Sequence, residues 1–251
     1  MRLDAAFGVV TDLRLGFVGG LWPTIIAIWH VPSLLFQPLE ISRIFMSHVW
    51  DLYGDSADEA GRAVKNGLIT PHAYGVVLDL GAGHGHTINY LDHSRVTKYV
   101  AVEPNVHMHA KLRRTASAAG YNEDAGTLLI LPCGAENIST ILSYLPAPHP
   151  PVDTLISVLT LCSIPSPQST ISSLVTEVLK PGGQMLFYEH VLSEREDVVW
   201  WQRFWTPLWG IVFDGCRLDR PSHRWIEDVG GWEGETGECL FWHRVGRLVK
   251  A

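Results

Sequence analysis

The chain is short of charge. Its 251 residues hold Lys+Arg 19 and Asp+Glu 26, for a net charge of −7. A surface of that kind is not built to neutralise nucleic-acid phosphates, so no nucleic-acid partner is expected. Cysteine is scarce as well. Cys133, Cys162, Cys216 and Cys239 form no C-x-x-C pair, which argues against a disulfide scaffold and a structural zinc motif and fits a reducing, cytoplasmic compartment. The histidine pairs His84/His86 and His107/His109 lack clustered carboxylates, and an H-x-H on a helix turns its rings to different faces, so no metal site is expected. No internal repeat is visible. From Leu15 to Leu39 there is no Asp, Glu, Lys or Arg at all.

That uncharged run is nominally long enough to cross a bilayer, which takes about 20 apolar residues. Pro23, Pro32 and Pro38 should break it, and Gly16, Gly19 and Gly20 should loosen it. Asp4 and Asp12 stand where a secretory signal carries basic residues. Two readings stand. Residues 15–39 form a pair of short helices capping the chain's own pocket, or they lie in a membrane interface with Trp22 and Trp29 at headgroup depth. Low basic charge favours the cap. A polar helix should follow, with Asp55 or Ser56 at its N-cap.

Hydrophobic residues make up 47% of the chain, enough for a sizeable core. From residue 76 onward, short β-branched runs alternate with helical patterns, the mark of a parallel α/β sheet. Strands are expected at Val76–Leu80, Tyr99–Glu103, Leu128–Leu131, Thr154–Leu159 and Met185–His190. One helix should run from Pro104 to about Ala119, ended by Gly120. Another starts at Ser166-Pro167, carries Ile171, Leu174, Val175, Val178 and Leu179 on one face, and stops at Lys180-Pro-Gly-Gly183. Pro146–Pro151 reads as a stiff loop.

The most informative stretch is Val76-Val-Leu-Asp-Leu-Gly-Ala-Gly-His-Gly-His86. A strand ends in Asp79, and Gly81, Gly83 and Gly85 follow at alternate positions, where backbone passes close to a ligand. The next helix offers free backbone N–H groups. His86 stands where a dinucleotide fingerprint needs its third glycine, which weakens a hydride-transfer reading. Glu103, closing the second strand, is placed to accept hydrogen bonds from both ribose hydroxyls of an adenosine cofactor, and it would repel a 2′-phosphate.

This ordered set resembles the class I S-adenosylmethionine-dependent methyltransferases. Thr160-Leu-Cys-Ser163, Leu179-Lys-Pro-Gly-Gly183, Glu189-His-Val191, Trp201-Gln202 and Phe213-Asp-Gly-Cys216 resemble the methyltransferase-like seven group of small thiol methyltransferases in particular. That group is held to the endoplasmic reticulum and lipid droplets by an apolar N-terminus. The chain departs from it at Ala82-Gly83-His84-Gly85, where the group has a cysteine, and in a shorter tail between Glu227 and Lys250.

The resemblance implies a Rossmann-like, seven-stranded α/β sheet over residues 61–251, with residues 1–60 as an apolar helical cap or membrane-associating segment. It implies S-adenosylmethionine as cofactor, held by Asp79, Gly81, Ala82, Gly83, Gly85, His86, Glu103, Pro104, Asn105, Gly134, Ala135, Glu136, Leu159 and Thr160. The acceptor should be a small lipophilic molecule of secondary metabolism. Sulfur is the favoured atom, with oxygen or nitrogen open, and a cyclase or binding module is the alternative. Peripheral membrane contact through residues 15–39 would place the chain on the cytosolic face of an internal membrane.

In-line methyl transfer rests on positioning, and a thiol with pKa near about 8.5 needs a base less than a hydroxyl does. His190 is the candidate base or orienting group, aided by Asp214. The alternative is a core histidine and a turn-capping aspartate. Cys162, Trp201, Trp205, Trp209 and Phe213 are the candidate acceptor-binding residues. Spacing of four puts the aromatics on one helical face, which plain core packing explains equally.

Overall fold

The computed structural model describes residues 3–147, 150–229 and 241–250. Trp232 and Cys239 lie outside them. The strands, each short and rich in β-branched residues, are β1 (Gly75–Leu80), β2 (Val96–Val102), β3 (Leu128–Leu131), β4 (Val152–Val158), β5 (Leu179–Val191) and β6 (Trp242–Val249). They form one sheet in the order β3-β2-β1-β4-β5-β6, parallel except for β6, which runs antiparallel to β5. Six strands are described where seven were expected. The order reverses direction between β1 and β4, and ligands of open α/β sheets gather at the carboxyl ends of strands beside such a switch point.

Both faces of the sheet are covered, so its central strands read as continuous apolar runs. Leu78, Leu80, Val100, Val102 and Leu155 pack into one core layer, and Val77, Tyr99, Ala101, Ile156 and Leu186 into the other. The helix predicted after Pro104 begins as a short 3-10 turn over Val106–Met108 and continues as an α-helix over His109–Ala118. The helix opened by Pro167 (Pro167–Ser173) passes into a wide turn over Leu174–Val178. Ser166 occupies its N-cap at φ 47, but its side chain makes no capping bond. Lys180–Gly183 do not end the helix. They form a bulge inside β5, between the pairs Val152↔Leu179 and Thr154↔Gln184.

The N-terminal region departs most from expectation. It is one continuous 28-residue helix, α1 (Leu3–His30), with Pro23 inside it. Proline removes a donor, yet the Thr24 hydroxyl donates to the Gly20 carbonyl at 2.7 Å, and the absent side chains of Gly19 and Gly20 relieve crowding. These glycines are contact points. A Cβ on Gly20 would lie 2.7 Å from the Phe45 ring, and Gly19 faces Leu52. Pro32 opens a 3-10 turn (Pro32–Phe36), and Pro38 opens α2 (Pro38–Ala60), where its missing N–H costs nothing. Asp55 and Ser56 lie in the interior of α2 and cap nothing. After Gly61 comes α3 (Arg62–His72), and two further helices follow β5: α4 (Glu196–Val212) and α5 (Ser222–Glu227).

Candidate active site

The site is assembled at the carboxyl ends of β1, β2, β4 and β5. Gly81, Gly83 and Gly85 all hold positive φ (60°, 54° and 82°). A Cβ on Gly81 would stand 2.6 Å from Thr160, and one on Gly83 would stand 2.9 Å from the Trp50 indole nitrogen. Only glycine fits there. The helix expected after the loop is a single 3-10 turn (His86–Tyr90), led by the left-handed Gly85. Asp79 is buried beneath the loop and accepts from the Tyr99 hydroxyl at 2.5 Å; burial pushes its pKa up to about 7.

Glu103 follows the end of β2. One carboxylate oxygen accepts from the Gly83 backbone N–H and the other from the Asn105 N–H, both at 2.8 Å. Burial raises its pKa to about 7, and the nearby Asp214 carboxylate pushes the same way. Half-buried Pro104 leads to Asn105, whose side chain donates to the Arg43 carbonyl at 2.8 Å. Gly134, Ala135 and Glu136 follow β3, adjacent to β2, and the Glu136 carboxylate folds back over Gly134. Leu159 (φ 54°) and Thr160 follow β4. The Thr160 hydroxyl donates to the Leu80 carbonyl at 2.8 Å and ties β4 to β1 across the switch point.

The sequence reading missed what covers and braces this site. Helix α2 lies over the loop, fastened at both ends and in the middle. Ser42 donates to Asp214 at 2.8 Å, Glu40 meets His107 at 2.7 Å, and Asp55 meets His86 at 2.9 Å. Near its end Asp58 pairs with buried Lys65 and accepts from the Tyr90 hydroxyl at 2.9 Å. Trp50, Asp58, Lys65, Gly81, Ala82 and His86 line a common hollow there. Two buried nitrogens beside the loop, Trp50 Nε1 and His84 Nδ1, have no hydrogen-bond partner. Helical position alone carried no signal for Trp50, Asp58 or Lys65.

Glu189, fully buried at the end of β5, accepts from the Ser157 hydroxyl (2.7 Å), the Thr160 N–H (3.0 Å) and the Leu161 N–H (3.2 Å). It holds the turn after β4 in its strained shape.

On the acceptor side, Trp201, Trp205, Trp209 and Phe213 point inward from α4 and its end, with Trp209 and Phe213 stacked at 3.9 Å. They pack with Cys162, Cys216, Val9 and Leu13. His190 is buried with its Nε2 3.2 Å from Cys216 Sγ, which lies 3.2 Å from Cys162 Sγ. Asp214, at φ 45°, sits in the turn after α4. Separate elements thus form two groups: the glycine loop bonded to Glu103, and the aromatic face with His190 and the two thiols.

A family model described as a methyltransferase domain matches residues 58–233. The chain belongs to that family. The methyltransferase is 27% identical over 231 residues to human thiol S-methyltransferase TMT1A, covering 90% of this chain and 84% of the relative. It is 32% identical over 152 residues to rat thiol S-methyltransferase TMT1B, covering 60% of this chain and 57% of the relative. An O-methyltransferase family protein from Burkholderia thailandensis shares the fold at TM-score 0.57 and 14% identity, over 84% of this chain and 60% of that one. The N-methyltransferase NodS of Bradyrhizobium japonicum, solved with S-adenosyl-L-homocysteine, superposes at TM-score 0.50 and 10% identity, over 77% of this chain and 86% of that one. S-adenosylmethionine is the methyltransferase's cofactor. The residues fit it: a cradle that admits no Cβ, an acceptor carboxylate at the end of β2, and two partnerless nitrogens beside the loop.

Proposed function

We propose that the methyltransferase moves a methyl group to the sulfur of a small, lipophilic thiol, working on the cytosolic face of an internal membrane. The observation that carries the acceptor class is the inward aromatic face of α4 beside the turn after β4, an apolar wall suited to a lipophilic molecule. The activity for which the human and rat relatives are named, thiol S-methylation, points to the same atom.

Glu103 would hold the cofactor's ribose, the Gly81–Gly85 backbone its methionine portion, and Gly134–Glu136 its adenine. Asp58 and Lys65 in the hollow carry the charges that complement an amino acid's ammonium and carboxylate. The bound sulfonium supplies an electrophilic methyl. This chain's part is to align the acceptor and exclude water. His190 is turned toward sulfur within the core, so proton removal from the acceptor falls to solvent, which a thiol tolerates better than a phenol or an amine.

Membrane contact is supported by the outer surface. Trp22 is 67% exposed, Trp29 82% and Phe36 88%. The outer face of α4 adds Trp200, Phe204, Leu208 and Ile211, and α1 packs against α4 through Gly16 and Val212. Both faces suit an interfacial element. The deciding experiment incubates purified protein with labelled S-adenosylmethionine and matched lipophilic thiols, phenols and amines. Label in the thiol products is expected. Equal or greater label in phenols or amines overturns the sulfur assignment, and no transfer to any acceptor favours the cyclase or binding-module alternative.

A further inference from the structure

Cys162, His190 and Cys216 come from three different elements: the turn after β4, the end of β5 and the turn after α4. Their Sγ, Nε2 and Sγ atoms all lie within 4.8 Å of one another, and all three residues are buried. One sulfur is crowded with partners. Cys216 Sγ lies 3.2 Å from the His190 Nε2, donates to Cys162 Sγ at 3.2 Å and accepts from the Trp209 indole N–H at 3.3 Å. Two thiols and an imidazole thus meet in one buried place with their polar atoms turned to one another. The adjacent Glu189 is hydrogen-bonded to Ser157, Thr160 and Leu161 and supplies no ligand oxygen, although its charge, like that of Arg220, is felt at the cluster.

We propose that Cys162, Cys216 and His190 bind one zinc(II) ion. The ligand set is soft, with two sulfurs and one imidazole, and it offers no oxygen to magnesium or calcium. Charge decides among the thiophilic metals. Zinc(II) with two thiolates and a neutral imidazole is a neutral unit, compatible with full burial. Copper(I) would leave a net negative charge there. Binding releases the two thiol protons to solvent and changes no oxidation state. The size is right too. Zinc–sulfur and zinc–nitrogen bonds of about 2.3 and 2.0 Å put tetrahedral ligands about 3.5–3.8 Å apart, so the 3.2 Å pairs must part by only about 0.5 Å. The Trp209 N–H is then an outer hydrogen bond to a ligating thiolate. Three protein ligands leave one position for a non-protein ligand. The ion would fasten the turn after α4 to the ends of β4 and β5.

The test is metal content, read without any acceptor and so independent of the sulfur assignment. Full-length protein is purified under reducing conditions, exchanged against a chelator by gel filtration and measured by plasma mass spectrometry. One zinc per chain is expected, falling roughly tenfold or more in Cys162→Ser and Cys216→Ser. Cys133→Ser, half-buried after β3, should retain it. Should the serine variants fail to fold, cobalt(II) added to metal-free wild type must give thiolate charge-transfer absorption with strong tetrahedral bands. Folded wild type that holds no zinc and gives no such bands overturns the site. So does zinc held equally by folded serine variants, or a Cys162–Cys216 disulfide found by intact mass.

Discussion

Helices α1 and α2 are consecutive and comparable in length, yet opposite in character. The first is apolar and largely exposed; the second is polar and covers the glycine loop. Composition alone does not separate their roles: Val9 and Leu13 of α1 pack against Trp209 and Phe213, while the outer side of the same helix is bare. The difference is one of partners. A cofactor with ribose hydroxyls, an ammonium and a carboxylate suits a helix that carries acids and the Trp50 indole N–H. The apolar helix leaves Trp22 and Trp29 bare on its outer side.

The largest test of this contrast is Gly83→Val. The new side chain must strain a φ of 54° and meet Trp50, so calorimetry should detect no cofactor binding while vesicle binding persists. Lys65→Met comes next. It leaves Asp58 without its cation in a buried place, which should cost about 3–5 kcal/mol in urea unfolding and weaken cofactor binding as well. Full stability in Lys65→Met would show that the end of α2 is not clasped. Glu103→Ala should lower cofactor affinity by about 1.5–3 kcal/mol, the scale of hydrogen bonds to a charged group.

The pH dependence follows from the same carboxylate. Folding raises Glu103 from 4.5 to about 7 and Asp79 from 3.8 to about 7. A carboxyl raised in this way stabilises the fold below its unfolded pKa, and that stability is lost as pH climbs through the folded value. Melting temperature of the cofactor-free protein should fall from about pH 4 to about pH 7, and Glu103→Gln should flatten part of the slope. Parallel curves would remove Glu103 from the account. The smallest effect is expected on the other helix. Trp22→Glu with Trp29→Glu should reduce flotation with liposomes and leave cofactor affinity unchanged, since neither ring is buried. Loss of cofactor binding in that variant would erase the division between the helices.

Local patterns were legible. Gly81, Gly83 and Gly85 announce a close approach because only backbone conformation is at stake, and Glu103 is found by counting to the end of the next strand. The inward aromatic face of α4 is equally plain in its spacing of four. Trp50, Asp58 and Lys65 were not legible, because their meaning comes from where α2 and α3 dock. The same holds for Cys162, His190 and Cys216. Neighbouring histidines and C-x-x-C pairs are visible in sequence, whereas these three side chains meet only through the sheet. Pro23 misled for a different reason: a helix with glycine before the proline and a threonine hydroxyl after it can absorb the loss of one bond.

The join between α1 and α2 is only the 3-10 turn at Pro32–Phe36. With the cofactor in the glycine loop that α2 covers, exchange of product would require that helix to lift. Whatever surface grips α1 therefore also sets one end of the lever. Held on a bilayer, the protein would exchange its nucleoside product by swinging its body away from a fixed clasp, and the rate of that swing, more than the methyl transfer, would respond to the stiffness of the lipid beneath it.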